Sequence, residues 1–336
     1  MNLVSVDNWQ GNLDFELISE PIECTKLKHP ITIDPIKEVF DKVCEKPPKS
    51  SRLFLASFYD VIVSNGKIMD KQLQNEVEEF SKCGGMSLNC GPKIIDVGVH
   101  LADMWGGSNY WHWMSTCLAR MSLLNVIPRK AKLIINSLDK RFVRESLVEM
   151  GMNLSDCIEI DKDGPLQCNE LIAPSRIGDR DDIGVKHLRE LLRPDIIKRS
   201  RRVFISRNSS RRITNEKSVM DYLGKLGFEK VKCEKLSFEE QVNIFSDASV
   251  VIAPHGAGLT NLIFAKDNVK VLELRSPYYF GSCYWKLCNH LDFEYYSLYG
   301  EGRIPKTTEE LNTNIHADIT IDIDKLERTL KLMGIR

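Results

Sequence analysis

The chain has 336 residues, 43% hydrophobic and 28% charged, with 46 Lys and Arg against 47 Asp and Glu for a formal net charge of −1. That length and composition describe two globular domains of ordinary size, each able to bury a core. The near-zero balance argues against a broad polyanion-binding surface, and so against a nucleic-acid protein, while leaving room for a local anion site. No run of 18 apolar residues occurs, so no membrane-spanning helix is expected. The N-terminus, MNLVSVDNWQGNLDFELI, lacks the basic and then apolar order of a secretory signal. Ten scattered cysteines without a C-x-x-C pair read as reduced thiols of a cytosolic protein, not as a zinc site or a disulfide frame.

In chain order, Pro47–Ser51 is a loop, and RLFLASFYDVIVS from Arg52 opens two strands joined by an Asn65-Gly66 hairpin turn. Residues 70–82 predict a polar helix that Gly84-Gly85 ends. Residues 93–99 (KIIDVGV) form a strand. From Trp111 onward, Met114, Leu118, Met121 and Leu124 recur at helical spacing. Strands over 131–136, 156–160 and 170–173 and a helix over 141–150 complete a first half read as βαβ units with a mainly parallel sheet. The polar stretch 178–184 (GDRDDIG) marks the linker, and Pro194 interrupts the helix that follows. The second half alternates strictly. Strands are expected at 203–206, 230–233, 250–253, 269–274 and 293–297. Helices start at Asn215, at a capping box Ser237-Phe238-Glu239-Glu240, and near Tyr284. Leu326, Leu330 and Met333 give the C-terminal stretch 323–336 an apolar face that must dock, with the N-terminal domain as one destination. The domains are therefore placed at 1–180 and 185–320. The fold class is α/β: two Rossmann-like domains facing a cleft between their sheet edges.

Four stretches carry chemistry. In VVIAPHGAGLTNLIFA (250–265), an apolar strand turns through His255-Gly256-Ala257-Gly258 into Leu259, Leu262 and Ile263 at helical spacing, a geometry that suits a phosphate. An oxyanion loop of a serine hydrolase is the rival reading, but the G-x-S-x-G pentapeptide it requires does not occur. The basic run 198–212 (KRSRRVFISRNSSRR) contains no acid. Lys198 to Arg202 read as solvated charge, whereas Arg207, just past a strand, and Arg211 and Arg212 in the same loop suit bidentate contact with phosphate oxygens. His112, in Asn109-x-x-His112-Trp113, has the right side chain for a base at neutral pH, and equally for packing its own helix. Asp179-x-Asp181-Asp182 has a metal-binding composition but lies in a polar linker and reads as a solvated turn, so no metal is expected.

Three of these blocks also carry a resemblance. NYWHWMSTCLARM at 109–121, FISRNSSRRITNE at 204–216, and LSFEEQVNIFSDASVVIAPHGAGLTNLIFA at 236–265 with VKVLEL at 269–274 resemble, in order, the conserved blocks of glycosyltransferase family 61. That family includes plant xylosyl- and arabinosyltransferases and animal O-linked N-acetylglucosaminyltransferases, together with bacterial and viral surface-glycan enzymes. The resemblance covers about residues 93–300. It implies a two-domain glycosyltransferase-B fold and an inverting transfer of a pentose or N-acetylglucosamine. The donor it implies is a nucleotide-sugar, UDP-linked, the acceptor a glycan hydroxyl, and no metal or other cofactor is required. A catalytically silent nucleotide- or glycan-binding relative is the alternative.

The roles implied are these. Arg207, Arg211, Arg212 and the N–H groups of Gly256, Ala257, Gly258 and Leu259 neutralise the diphosphate, and Thr260 and Asn261 add contacts to it. Glu273 accepts from ribose hydroxyls, and Glu216 orients Arg207 or Arg212. His255 is a phosphate or sugar contact rather than the base. His112 is the base, with Asp103 as its alternative. Asn109, Trp111 and Trp113 meet the acceptor, although an indole at helical spacing is equally a core residue. Many eukaryotic members carry a signal or anchor. The lack of either here leads to the expectation of a cytosolic microbial or viral protein, or of a chain trimmed from a secretory one.

Overall fold

A computed structural model describes residues 2–21, 27–34, 50–80, 91–177, 181–193, 201–303 and 314–336, except Gly66, Leu73 and Asn125. Pro47 to Lys49, Gly84, Gly85, Asp179, Pro194, Lys198 and Arg199, and with them parts of the expected loop, helix end and linker, lie outside the described residues. So do Cys24, Cys44, Cys83 and Cys90; the cysteines that are described are free thiols. The chain divides into two compact units, residues 1–23 with 49–192 and residues 24–48 with 193–336.

The first unit is built on a nine-stranded sheet in the order β1-β5-β4-β3-β9-β6-β7-β8, with β2 added on β3. The strands are β1 (Asn2–Val4), β2 (Leu13–Ser19), β3 (Leu53–Ser64), β4 (Lys67–Asp70), β5 (Asn75–Val77), β6 (Lys93–His100), β7 (Lys132–Ile135), β8 (Cys157–Glu159) and β9 (Leu166–Pro174). The sheet is mixed rather than mainly parallel. β9, β6, β7 and β8 run parallel, while β3 is antiparallel to β2, β4 and β9. Pairing of Ser64 with Lys67 closes the β3–β4 hairpin around Asn65, whose φ of 48° is left-handed.

The polar helix expected from residue 70 is absent over the described residues. Asn75–Val77 instead pairs with both β1 and β4, followed by a 3₁₀ turn at Glu78–Phe80. That stretch has no apolar helical stripe to bury, so strand pairing overrides its helical propensity. The helix expected from Trp111 is also irregular. One α turn, Tyr110–His112, runs into a π segment, Trp113–Cys117, and then a 3₁₀ segment, Leu118–Leu123. The helix Ile183–Leu192 belongs to this unit, so the boundary falls after Leu192 and not at 180–185. Gly184 seats it: a Cβ there would stand 2.5 Å from the Ala119 Cβ.

The second unit has a wholly parallel sheet in the order β11-β10-β12-β13-β14. Its strands are β10 (Arg201–Ile205), β11 (Phe228–Val231), β12 (Ala248–Pro254), β13 (Lys270–Arg275) and β14 (Glu294–Tyr299). Helices Glu216–Lys225, Phe238–Ser246 and Cys283–His290 alternate with them as the sequence predicts. The capping box forms in full: Ser237 accepts from the Glu240 N–H and Glu240 accepts from the Ser237 N–H.

The core on one face joins Phe204, Ile252 and Leu272 to Leu326, Leu330 and Met333. The helix Ile323–Leu332 thus docks on its own unit, not back on the first, because its apolar stripe completes this core. Residues 27–34 also belong to this unit: Ile31 bridges to Tyr296, and Asp34 accepts the Tyr299 N–H at 2.8 Å.

Candidate functional site

From β10 the chain moves outward to β11, then crosses back over β10 to β12 on its other side. In an open parallel sheet that reversal leaves a crevice beyond the carboxyl ends of the two diverging strands. Here those strands are β10 and β12, and the residues that leave them are Ser206-Arg207 and His255-Gly256. The structure therefore brings two motifs, 48 positions apart in the sequence, to one sheet edge. Arg207 crosses the turn so closely that a Cβ on Gly256 would stand 1.4 Å from its Nη1. The φ of Gly256 is 164°, extended backbone open to any residue, so the glycine is required by the guanidinium and not by the torsion. Arg207 Nε donates to the Ser210 carbonyl at 3.0 Å and Nη2 to Ser209 Oγ at 3.3 Å, which fix the fork in place.

Arg211 adds a second guanidinium, 5.1 Å over the Tyr279 ring. Its φ of 61° is left-handed, a backbone state that a non-glycine residue adopts at a cost, and Nη1 donates to the Ile315 carbonyl at 3.3 Å. Among the described residues no carboxylate lies within ion-pair distance of either arginine. Burial, and then the charge of Arg211, press the Arg207 guanidinium below its ordinary range. Among the described residues the pair is thus a positive site with no carboxylate in ion-pair contact, Glu234 acting on Arg207 only from a distance.

The rest of the motif turns inward. Ala257–Phe264 is a 3₁₀ helix, and the Leu259 N–H is spent closing its first turn onto the Gly256 carbonyl at 2.9 Å. The N–H groups of Ala257 and Gly258 precede that first bond, as at any helix start. Thr260 and Asn261 are fully buried, which corrects their expected phosphate contacts. The Asn261 amide donates to Gln241 Oε1 at 2.9 Å and to the Gly258 carbonyl at 3.1 Å, pinning the turn from behind. Arg212 is diverted as well. It forms a two-pronged ion pair with Asp318, at 2.6 and 3.1 Å, and holds the C-terminal segment. Glu216 orients neither arginine. It accepts from Ser206 Oγ at 2.7 Å and pairs with Lys230.

His255 is 5% exposed, and its Nδ1 is bonded to Glu273 Oε1. Glu273 is wholly buried at the end of β13 and has no surface for a ribose. Arg275 Nη1 lies 3.1 Å from its Oε1, and the Tyr295 hydroxyl donates to its Oε2 at 2.6 Å. Burial pushes the Glu273 carboxyl up, but the Arg275 charge, the His255 ring and the Tyr295 hydroxyl outweigh it and bring it down to about 2. Burial holds His255 below the ordinary imidazole range in spite of the carboxylate beside it. Arg275 is the member of this buried cluster that the sequence reading missed. The signal was there: Glu273 and Arg275 are two charges spaced by two in an otherwise apolar strand, hence on one face.

Part of the chain is similar to known proteins. Residues 110–272 match the family model described as Glycosyltransferase 61, just under half of the chain. The similarity to glycosyltransferase family 61 thus lies in residues 110–272. Over 116 residues the chain is 33% identical to the beta-1,2-xylosyltransferase RCN11 of Oryza sativa subsp. japonica, covering 30% of this chain and 20% of that one. Over 136 residues it is 27% identical to a beta-1,2-xylosyltransferase of Arabidopsis thaliana, covering 37% and 23%. The chain thus spans about a fifth to a quarter of the relatives it matches. Both are plant proteins, which gives the expected microbial or viral cytosolic origin no support. Among the described residues no helix is long and apolar enough to cross a membrane.

The family match begins in the first unit, at the turn that holds His112. Asn109 caps that turn, accepting the Trp111 N–H at 2.9 Å. His112 and Trp111 are half-buried, and the exposed Trp105 ring is 6.5 Å from the imidazole. The π segment starts immediately after His112, an irregularity that recurs at functional sites. Trp113 is a core residue, 1% exposed with Nε1 donating to Ser146 Oγ at 2.8 Å, so it has no face for a sugar. Asp103 is buried between Arg120, at 3.0 Å, and Arg176, at 2.8 Å, so the protein itself engages its carboxylate.

Proposed function

We propose that this chain is a glycosyltransferase that binds a nucleotide-sugar at the β10–β12 crevice and transfers its sugar to a glycan hydroxyl. The observation that carries the reading is the Arg207 guanidinium lying on Gly256 at the reversal of the sheet, beside Arg211, with no carboxylate among the described residues in ion-pair contact with either. Such a seat stabilises charge as it develops on a departing diphosphate, usually the largest contribution to catalysis of this kind. The N–H groups of Ala257 and Gly258 add dipoles of the same sign. His255 stands at the edge of this seat, and Glu273 acts behind it rather than on a ribose.

The sugar we propose is xylose, because both relatives reported above are named for that transfer. A UDP-linked donor, a two-domain glycosyltransferase-B arrangement and inversion by single displacement follow the family resemblance. The paired guanidiniums take the part a divalent cation would play, so we propose a transfer that needs no metal. His112 is the proposed base for the acceptor hydroxyl, and Trp111 and Asn109 flank it. The test is a radiolabelled transfer assay with UDP-xylose and UDP-N-acetylglucosamine over a panel of glycan acceptors, with and without EDTA. Transfer from UDP-xylose that persists in EDTA is the expected result. UDP binding with neither transfer nor donor hydrolysis would favour a silent relative. Loss of transfer in EDTA with recovery in Mn²⁺ would overturn the metal-free mechanism.

A further inference from the structure

The end of β13 holds more buried polar chemistry than an anion seat requires. Glu273 and Arg275 are 0% and 1% exposed, and their charges are matched to each other. Arg275 also donates to the Tyr295 hydroxyl at 3.0 Å and to the Gly281 carbonyl at 2.5 Å, with its guanidinium 5.1 Å over the Phe280 ring. Every bond in this cluster holds Glu273 as an ionised acceptor. The proton between Glu273 and His255 therefore belongs to the imidazole, and Nδ1–H is the donor.

An imidazole so fixed carries its lone pair at Nε2, and Nε2 has no hydrogen-bond partner among the described residues. The Gly281 backbone packs against this edge of the ring, where only a glycine fits: a Cβ there would stand 2.5 Å from Cε1 and 2.8 Å from Nε2. The Tyr279 and Tyr284 rings pack against the imidazole at 4.8 and 5.1 Å. The charged and titratable groups around the ring are Glu273 and Arg275 from β13, Tyr295 from β14, Arg207 and Arg211 from the loop after β10, and Tyr279, Cys283 and Tyr284 from the loop after β13 and its helix. With the seat empty, burial and the surrounding arginines disfavour a further positive charge on the ring. A diphosphate reverses that balance. A lone pair facing phosphate oxygens repels them, whereas an N–H attracts them.

We propose that His255 takes up a proton when a nucleoside diphosphate binds, turning Nε2 from an acceptor into a donor to the phosphate, with Glu273 as the positioning residue that fixes the ring. The inference rests on the nucleotide-sugar reading above. The proton comes from solvent and returns there when the diphosphate leaves, so no other reactant is required. By linkage, affinity for the diphosphate rises as pH falls between the proton affinity of His255 in the bound state and that in the empty one.

Calorimetric titration of UDP into the full chain near neutral pH, in two buffers of different ionisation enthalpy, reads the proton directly. The expected result is buffer-dependent heat equivalent to an uptake of about half to one proton per UDP. In His255→Gln the buffer dependence should vanish while UDP still binds, roughly tenfold more weakly. Buffer-independent heat in the unmodified chain, or uptake that survives in His255→Gln, overturns the inference and leaves the nucleotide reading standing. Absence of UDP binding in the unmodified chain removes both. Nitrogen NMR of the empty site supplies a second readout that does not depend on UDP. It should find the Nδ1–H tautomer at His255, with the distribution shifted in Glu273→Gln, and an Nε2–H tautomer overturns the role of Glu273. Should Glu273→Gln fail to fold with Arg275 left unpaired, the spectrum of the unmodified chain still decides the tautomer.

Discussion

Each unit reverses the order of its parallel strands once, and each gathers charge at the carboxyl edge where it does so. In the first unit the reversal lies between β6 and β9. There Asp103, just past β6, is held by Arg120 and by Arg176, just past β9. In the second it lies between β10 and β12, where Arg207 and Arg211 share the edge with a glycine turn. The first cluster sets one carboxylate between its two guanidiniums. Among the described residues, the second has no carboxylate in ion-pair contact with either of its arginines. Position at a sheet reversal alone therefore does not identify a ligand site in this protein. What distinguishes the two is whether a carboxylate of the protein already engages the guanidiniums.

The difference can be broken in stages. Arg207→Ala should cause the largest change, a loss of about 10²–10³-fold in transfer with a marked loss of UDP affinity, since it removes one preorganised donor from the developing charge. Unchanged UDP affinity by calorimetry would move the phosphate seat elsewhere. Asp103→Ala should instead act on folding. Leaving Arg120 buried without its carboxylate costs on the order of 3–5 kcal/mol in thermal or chemical unfolding, with UDP affinity of the folded fraction unaltered. If UDP affinity fell while stability held, the first cluster would be the open one. Gly256→Ala should lower UDP affinity by about tenfold through displacement of the Arg207 fork, a rearrangement worth roughly one hydrogen bond to a charged group. Arg212→Ala is expected to be the mildest, with UDP affinity and transfer nearly unchanged, because that guanidinium is committed to Asp318 on an exposed face.

A pH series separates the clusters in another way. The Glu273 carboxyl lies well below its ordinary value, so its stabilising contribution is complete above the ordinary carboxylate range. It is lost as pH falls from there toward about 2. Acid unfolding of the second unit, followed by fluorescence of its Trp285, should therefore shift to higher pH in Arg275→Met.

Much of the second unit was legible in the sequence because its signals were local. An apolar strand, a glycine turn and a capping box each report on neighbouring residues, and all three appear where expected. The first unit was less legible because β1, β3 and β5 pair across long stretches of chain, and a polar segment such as 75–77 has no local mark of the partner that makes it a strand. At the candidate site, Arg207 and Gly256 could be read separately but not as a pair, since the contact joins two distant segments. Thr260 and Asn261 are buried and Arg212 is paired, which the sequence did not reveal. A polar side chain in a glycine-rich or basic motif looks available to a ligand, while Gln241 and Asp318, which hold Asn261 and Arg212, lie elsewhere in the chain.

The segment that holds the arginine loop has a temporal consequence. Asp318 grips Arg212, Ile319 bridges to Ile213, the Ile321 backbone is bonded at both its N–H and its carbonyl by Asn215, and the helix that follows completes the core. On the ribosome, the glycine turn and the arginines are therefore made first and organised last. The loop remains without this brace until residues 314–335 have emerged, after every strand of the sheet has been made.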